Sequence, residues 1–483
     1  MSDRKWYDGA LIVNRDADWT FRIIKGETAG EMRESVDKYF SIFGGHKITD
    51  VLLNVYEQSS FIPTDKITWI GSRHGKCAGF EKDAYYPVVE KLYKACIEFG
   101  IDYVDMFIRK MEEIGIRPWL TLRMNDSHYL TEGVSLLQSE EYHKELAAGH
   151  VIGEEYGYFG KNPDFSYPGI REALLAYIEE ILGKYDFFGL ELDFMREIYC
   201  FDYRHNPDCH KIMTEFVRQV KSKITAAEKR VGHRIMLMIR THRSPKDALE
   251  FGFDIKTMCR ERLIDAVNPT PRWECTDSAI PIAEWREICG DDIAVFPGLE
   301  TLHLDKTRVQ PEHAKAYAAA FYAQGADGLY LNNYFDGGER DLGVWNIDRC
   351  SCTSGRREFT VTYQDIASGS YPSYRPLPLS FDGEGKIELE IGRVCKDNKV
   401  TVVVDFAGDT PPMLSAADIA DAVPVQIEPV VIPKNAYFGG EAVMTPNTPL
   451  SYDLSGIETE STITLTFGGV GTIHYITIII ESK

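Results

Sequence analysis

The stretch FGLELDFMRE, residues 188–197, predicts a buried β-strand that runs directly into a charged end. Apolar residues alternate with Glu191 and Asp193, and this period of two places both carboxylates on one side of the strand, roughly 6–7 Å apart. Burying two acids is unfavourable unless they are paired or used in chemistry. Because the carboxyl ends of the strands hold the active site in a parallel α/β barrel, we expect this strand to carry one.

Seven more strand-like runs accompany Gly189–Phe194, with helical or irregular stretches between them. These runs are Ala10–Asn14, Asp50–Tyr56, Arg117–Arg123, Arg234–Arg240, Ile264–Pro269, Ile293–Leu299 and Gly328–Asn333. Strands that alternate with helices are typical of parallel βα units, and eight of them close a barrel. The sequence therefore predicts an α/β fold, a (β/α)8 TIM barrel over residues 1–350.

The segments between these runs include six predicted helices. They are Ala29–Phe43, Ile101–Ile114, Tyr167–Lys184, Cys209–Arg230, Ile282–Cys289 and Pro311–Gln324. Two long inserts, Ser59–Tyr86 and Asn125–Asp164, are rich in Gly, Tyr and His. Long loops that leave barrel strands are usually lids or rims of a site, which is the role predicted for both.

The character of the sequence changes after about residue 355, where helical patterns give way to short strands between Gly, Asp, Asn and Pro turns. The predicted strands are Lys386–Ile391, Lys399–Phe406, Pro424–Ile432, Ser461–Phe467 and Thr472–Glu481. This pattern is typical of an antiparallel β-sandwich. We therefore predict a C-terminal β-sandwich domain over residues 351–483, with a structural or rim-forming role.

Composition excludes several classes of function for this chain of 483 residues. Its 74 acidic and 53 basic residues give a net charge of −21, which argues against binding to nucleic acid or to an anionic membrane. No apolar run approaches the length of a membrane span. Ten scattered cysteines without C-x-x-C pairs fit a reducing compartment, so a cytoplasmic location is predicted. No cofactor and no metal site is predicted, and an oligomer is compatible with the sequence.

Polar and aromatic residues follow most of the predicted strands, where a barrel builds its active site. The candidate substrate-binding residues are Tyr56, Arg123, Asn125, His128, Arg196, Arg240, His242, Asn268, Arg272, Trp273, His303, Asn332, Asn333 and Tyr334. Each one also has a structural interpretation, since an arginine at a strand end is more often an ion-pair partner than a ligand. Their accumulation at the same ends of the strands, whose opposite ends are comparatively apolar, favours an active site there.

Three passages together resemble the glycoside-hydrolase-like (β/α)8 barrels that are common in bacteria. They are GLELDFMRE at the fourth strand, ALEFGFDIKTMCRERLIDAVNP before the sixth, and AQGADGLYLNNYF at the eighth. The resemblance implies a glycosidase, a hydrolase that acts on O-glycosyl compounds in carbohydrate metabolism. The fourth strand also resembles the chitinase D-x-D-x-E strand, but Met195 stands where the proton-donating Glu belongs. A chitinase mechanism that uses the substrate acetamido group is therefore disfavoured.

Cleavage of a glycosidic bond needs two carboxyl groups that flank one acetal. Asp193 on the fourth strand and Glu300 after the seventh are the predicted catalytic pair, with Glu191 as a carboxylate that tunes Asp193. One similar barrel clan places its acid/base in an Asn-Glu dipeptide on the fourth strand, which this chain lacks. Another clan places an Asp nucleophile there. A retaining mechanism is favoured, and which carboxylate serves as acid and which as nucleophile stays open.

Two questions stay open at this point: the charge of the substrate, and whether a barrel without the Asn-Glu dipeptide and the D-x-D-x-E strand is an enzyme. Arg123, Arg196, Arg240 and Arg272 could converge on a carboxylate or sulfate, so an acidic oligosaccharide or glycoside is one prediction. The same arginines could equally neutralise the acids of the fourth strand. The alternative to an enzyme is a degenerate barrel that binds carbohydrate without cleaving it.

Overall fold

The computed structural model describes residues 5–15, 23–127, 135–271, 280–301, 309–334, 337–362, 377–427 and 448–482. The chain divides into two compact units. The first, which we call the barrel unit, comprises Ile12–Thr270 and Glu287–Phe296. The second, the C-terminal unit, comprises Met1–Leu11, Pro271–Arg286 and Pro297–Lys483.

Parallel strands form the centre of the barrel unit. They are β1 (Leu11–Arg15), β2 (Asp50–Tyr56), β3 (Arg117–Arg123), β4 (Gly189–Asp193), β5 (Met236–Thr241), β6 (Ala266–Pro269) and β7 (Ala294–Val295). They pair in the order β7-β6-β5-β4-β3-β2-β1, so each strand lies beside its predecessor in the chain. Nearly every residue of these strands is buried, as expected when helices cover one face and packed side chains fill the other.

Two more parallel strands, β8 (Gly298–Leu299) and β9 (Leu329–Asn332), pair with each other in the C-terminal unit. In the same unit the Leu329 amide donates to the carbonyl of Ala10 at 2.8 Å. The fold is a (β/α)8 barrel with a C-terminal antiparallel β-sandwich, which confirms the predicted class. The boundary predicted near residue 350 stays a prediction.

Helices follow most of these strands. They are α1 (Ala29–Ser41), α2 (Tyr86–Tyr93), α3 (Tyr103–Glu113), α4 (Glu140–Ala147), α5 (Pro168–Lys184), α6 (Cys209–Val231), α7 (Pro245–Glu250), α8 (Ile255–Arg260), α9 (Ile282–Cys289), α10 (Pro311–Ala323) and α11 (Glu339–Val344). All six predicted helices are present within a few residues of their expected bounds. Proline in the first turn starts α5 and α10, and left-handed Gly232 ends α6. None of the helices within the described ranges is long and apolar enough to cross a membrane.

The seventh predicted strand, Ile293–Leu299, departs from expectation because it is interrupted. Its ladder pairs stop after Val295 and resume at Gly298, so that β7 and β8 replace one continuous strand. Pro297 lies in the gap, and proline has no N–H to donate to a neighbouring strand. The interruption falls just before Glu300.

The pairing of β3 with β4 depends on a close contact. Trp119 lies opposite Gly189 in the parallel register, and its fully buried ring covers the glycine. A Cβ atom at position 189 would stand 2.3 Å from the Trp119 ring. The strand β4 therefore begins with glycine, the only residue type that the tryptophan leaves room for.

Replacing Gly189 with Ala is expected to lower the free energy of unfolding by about 1–3 kcal/mol, because the buried ring must move to admit a methyl group. Urea unfolding followed by far-UV circular dichroism measures this change. Gly183→Ala in α5 is the matched control, since nothing lies within 4 Å of its added Cβ. That variant should be unchanged or more stable by up to about 1 kcal/mol. Equal effects at both positions would contradict the role of Trp119.

The C-terminal sheet has eight antiparallel strands. They are β10 (Arg356–Thr362), β11 (Leu379–Glu390), β12 (Lys399–Ala407), β13 (Met413–Ala416), β14 (Ile419–Ala422), β15 (Val425–Gln426), β16 (Thr448–Asp453) and β17 (Thr462–Glu481). The predicted strands Ser461–Phe467 and Thr472–Glu481 are one continuous strand, β17. Its first half pairs with β11 and its second half with β12, and these partners hold the glycine-rich centre in the ladder. Within this unit β10 packs on α10 through Phe359 and Tyr317, whose ring centroids lie 6.4 Å apart.

Candidate active site

Four buried polar residues form one row across the carboxyl ends of β3 to β6. The register pairs Arg123 with Asp193, Asp193 with Arg240, and Arg240 with Asn268. The parallel ladder alone fixes this alignment, because each side chain stands at or next to the last residue of its strand. Asp193 therefore lies between two strands that each present an arginine at its own level.

Both carboxylate oxygens of Asp193 are engaged. Arg240 donates from Nη1 to Oδ2 at 2.9 Å, and the backbone N–H of Met195 donates to Oδ1 at 2.8 Å. The side chains of Asp193 and Arg240 are 2% and 4% exposed. A buried ion pair with this degree of hydrogen bonding fixes the position of both groups.

Glu191 lies two residues earlier on β4 and is fully buried. Its Oε2 accepts hydrogen bonds from Thr121 Oγ1 at 2.6 Å and from Asn14 Nδ2 at 3.1 Å. Thr121 is on the adjacent strand β3, but Asn14 is on β1, which β2 and β3 separate from β4. The side chain of Glu191 therefore points into the interior of the barrel.

A second acidic centre, at the ends of β2 and β3, surrounds Arg123. Its Nη1 lies 2.7 Å from Oε1 of Glu57 and 3.7 Å from Oδ2 of Asp126. Arg196 approaches the same Asp126 oxygen at 3.6 Å, and Tyr85 donates to Glu57 Oε2 at 3.2 Å. Glu57 was not among the predicted site residues, although it directly follows the second strand, and its position there was the available signal.

Buried charges of both signs lie at the strand ends of the barrel unit. The buried or nearly buried arginines are Arg15, Arg123, Arg196, Arg240 and Arg243, and the buried acids include Glu57, Asp126, Glu191, Asp193 and Glu197. Each of the three predicted arginines, Arg123, Arg196 and Arg240, forms an ion pair with one of these acids. These three ion pairs agree with the structural interpretation in the sequence analysis, in which arginines at strand ends neutralise acids rather than bind a ligand.

Asn125 and His242 hold the segment that follows β4. The Asn125 amide donates to the carbonyls of Phe194 and Glu197 and contacts Cys200 Sγ at 3.3 Å. His242 Nε2 donates to the carbonyl of Ile198 at 2.8 Å. Both side chains are completely buried, so within the described residues their visible role is to position this loop.

Burial lowers the pKa of His242 to about 4, so the folded protein keeps this imidazole neutral. As the pH falls from 6.5 towards 4, the unfolded chain takes up a proton that the folded chain does not, and the free energy of unfolding falls. Above pH 6.5 this group contributes no pH dependence. His242→Gln should therefore flatten the loss of stability between pH 7 and pH 5 in urea titrations.

His233 is the control for that experiment. It precedes β5, is partly exposed, and has a raised pKa because of its hydrogen bond to the Arg234 backbone and its ion pair with Asp186. Its contribution is present at low pH and is lost as the pH rises through its folded pKa, so His233→Gln should change the profile with the opposite sign. A His242→Gln profile identical to that of the parent protein would contradict the buried neutral imidazole.

Asn268 and Tyr56 complete the predicted residues that the barrel unit describes. Asn268 is buried and donates from Nδ2 to the carbonyl of Phe296. Tyr56 ends β2 and lines a cavity together with Met124. Burial raises the pKa of Tyr56, and the charges of Glu141 and Asp126 act in the same direction.

The C-terminal unit holds Glu300 next to β9. Asn332 donates from Nδ2 to Oε2 of Glu300 at 2.8 Å, and the Thr301 N–H donates to Oε1 at 2.8 Å. Tyr334 donates its hydroxyl proton to the Glu300 carbonyl at 2.9 Å, and Asn333 between them has a left-handed φ of 62°. Two of the predicted residues, Asn332 and Tyr334, therefore contact Glu300. The predicted residues His128, Arg272, Trp273 and His303 lie outside the described residues.

One group of side chains elsewhere in the barrel unit has donor atoms close enough for a metal ion. Glu155, Asp202 and His205 place one ligand atom each within 4.8 Å of one another. His205 Nδ1 already contacts Asp202 Oδ1 at 3.0 Å, and Tyr156 donates to the same oxygen at 2.8 Å. The group is largely exposed, and its contacts to one another account for its geometry.

No protein-family model and no curated protein sequence matches the chain. Among solved structures it is similar to alpha-L-fucosidase isoenzyme 2 from Paenibacillus thiaminolyticus, with 10% identity, a TM-score of 0.42, and coverage of 70% of this chain and 48% of that chain. It is also similar to the PgaB (BpsB) glycoside hydrolase domain from Bordetella bronchiseptica, with 9% identity, a TM-score of 0.41, and coverage of 70% and 99%. A maltogenic alpha-amylase, AmyB from Thermotoga neapolitana, has 10% identity, a TM-score of 0.39, and coverage of 96% and 98%.

The chain thus spans about half the length of the fucosidase that it matches. These neighbours are glycoside hydrolases, as the resemblance of the sequence led us to expect. Similarities of 9–10% identity with TM-scores of 0.39–0.42 carry no conclusion about the activity of this chain, which is proposed below from its own residues.

Proposed function

We propose that this protein is a glycoside hydrolase that cleaves an O-glycosidic bond with Asp193 and Glu300 as its two carboxylates. The observation that carries the proposal is the Asp193 carboxylate, which is buried at the carboxyl end of β4 and held by Arg240 and the Met195 N–H. The carboxyl ends of the strands are where catalytic residues of a (β/α)8 barrel are found, and Asp193 lies at such an end.

Asp193 is proposed as the nucleophile of a retaining mechanism. Arg240 balances its negative charge, which suits a group that must attack as a carboxylate. In the first step an Asp193 oxygen bonds to the anomeric carbon while the Glu300 carboxyl group gives its proton to the departing glycosidic oxygen. In the second step Glu300 removes a proton from water, and that water oxygen displaces Asp193 from the sugar.

Glu191 is proposed to support Asp193 from the barrel interior. Its hydrogen bonds with Thr121 and Asn14 fix its carboxyl group on the same strand, two residues away. Glu191 is thus the tuning carboxylate of this proposal, a second acidic group on the strand that carries Asp193.

The substrate is proposed to be a neutral glycoside or short oligosaccharide rather than an acidic one. The acidic alternative rests on the strand-end arginines, and the three that are described each face a carboxylate at 2.7–3.6 Å. An arginine that neutralises a buried acid cannot at the same time provide full charge to a ligand. A cytoplasmic location is also proposed, supported by the nine described cysteines, all of which are free thiols.

The test is a screen of the purified full-length protein against a panel of aryl glycosides, in which neutral and uronic forms of the same sugar are paired. We expect release of the aryl alcohol from at least one neutral glycoside and slower release from its uronic counterpart. A non-catalytic carbohydrate-binding barrel, the alternative, would bind oligosaccharides in calorimetry without releasing product from any of them.

A further inference from the structure

A cavity of about 280 Å³ lies in the barrel unit at the ends of β2 and β3, bounded by α4 and α5. Ile67, Met124, Ile170 and Leu174 give it apolar walls. Its volume is near the lower end of the range of about 300–1,000 Å³ found for small-molecule sites. It therefore suits one ring or an alkyl group of similar size.

The charged residues of the lining are mostly acidic. Glu141, Glu145 and Glu172 contribute three carboxylates, against a single ammonium group from Lys144, and Glu145 also contacts Nδ1 of His150 at 2.5 Å. Glu141 is held in place because its Oε2 accepts from both the N–H and the hydroxyl of Thr68, at 2.9 and 2.8 Å. A carboxylate fixed beside apolar walls attracts a cation and repels an anion.

Tyr56 adds a polar group to the same lining. A tyrosine hydroxyl both donates and accepts hydrogen bonds, so Tyr56 brings a polar group of either kind to a cavity whose other walls are mostly apolar or acidic.

We infer that this cavity binds a primary amine carried on a small aromatic or apolar body, with the ammonium group near Glu141 and the body against Ile67, Ile170 and Leu174. The inference does not depend on glycosidase activity, because none of its residues is Asp193 or Glu300. The cavity would therefore prefer a cationic ligand, whereas the strand-end arginines led the sequence analysis to predict an acidic one.

The test compares three probes of nearly equal shape, benzylamine, benzyl alcohol and benzoate, by NMR titration of the full-length protein. We expect the tightest binding for benzylamine and the weakest for benzoate. Glu141→Gln should weaken benzylamine binding by about threefold to tenfold, the effect of losing one partly exposed ion pair, and leave benzyl alcohol binding nearly unchanged. Rising salt concentration should reduce the difference between the amine and the alcohol.

Two further variants keep the result interpretable. Ala173→Leu fills the cavity from α5 and should abolish binding of both benzylamine and benzyl alcohol, with folding checked by circular dichroism. Glu179 lies on the same helix, pairs with Lys223 and does not line the cavity. Glu179→Gln should therefore leave the affinities for benzylamine and benzyl alcohol unchanged. The inference is overturned if no probe binds, if benzoate binds as tightly as benzylamine, or if Ala173→Leu leaves benzylamine binding intact.

Discussion

Asp193→Asn and Glu300→Gln should each lower kcat for a confirmed glycoside by about a thousandfold or more. Each change is nearly isosteric, but it replaces a carboxylate that bonds to the sugar or moves a proton with an amide that can do neither. Steady-state kinetics on the aryl glycoside found in the screen measure the loss. KM should change much less than kcat, because the shape of the mouth is preserved.

Asp186→Asn is the control for these two variants. Asp186 precedes β4, is largely exposed and pairs with His233. Its replacement by Asn is therefore the same chemical change as Asp193→Asn, made just before the strand that ends in Asp193. Its kcat should equal that of the parent protein. If Asp193→Asn or Glu300→Gln keeps near-parental kcat, that residue is not catalytic, and if both do, the paired-carboxylate mechanism is wrong.

Arg240→Met should lower the free energy of unfolding by about 3–5 kcal/mol. The arginine side chain is 4% exposed and Asp193 is 2% exposed, so its removal leaves a buried carboxylate without its charged partner. Urea unfolding at pH 7 measures the effect. Arg234→Met, just before β5, removes a 66% exposed arginine from Asp265, which keeps its ion pair with Lys221, and should cost less than about 1 kcal/mol.

A double variant separates this pairing from simple loss of packing. In Asp193→Asn with Arg240→Met, no buried charge remains at the pair, so the second substitution should cost less than it does alone. Additive losses would mean that Arg240 stabilises the fold through contacts other than Asp193.

The barrel could be predicted from the sequence because its strands are fully buried and its helices have clear ends. FGLELD, the prolines at the start of α5 and α10, and the spacing of eight apolar runs all depend on local chemistry. The interruption at Pro297 was also a local signal, and it was overlooked because the surrounding residues are strongly apolar. The short helices α2, α4, α7, α8 and α11 lacked a long enough apolar repeat to be recognised.

The long strand β17 shows what local patterns cannot decide. Three glycines, Gly468, Gly469 and Gly471, predict a turn between two strands. The ladder with β11 instead continues across these glycines, from Thr462 to Ile473. The partner strand β11, which is distant in sequence, therefore determines that β17 continues as one strand.

The candidate site was predictable at the level of residue type and strand end, but not at the level of partners. Asp193 and Arg240 were both identified, yet their hydrogen bond depends on a strand register that one sequence does not reveal. Glu57 was missed although it directly follows the second strand, because its ion pair with Arg123 likewise depends on how the strands pair. The cavity beside Tyr56 is formed by α4 and α5, and α4 was not predicted.

Covalent trapping tests the central claim most directly. A deoxyfluoro glycosyl fluoride of the sugar identified in the screen slows the second step of a retaining glycosidase, so the sugar remains attached to the nucleophile. We predict a stoichiometric mass increase of one fluorosugar, with peptide mapping that places it on Asp193 and no adduct in Asp193→Asn. Attachment to a different residue, or turnover of the parent glycoside without any adduct, would contradict the proposed role of Asp193.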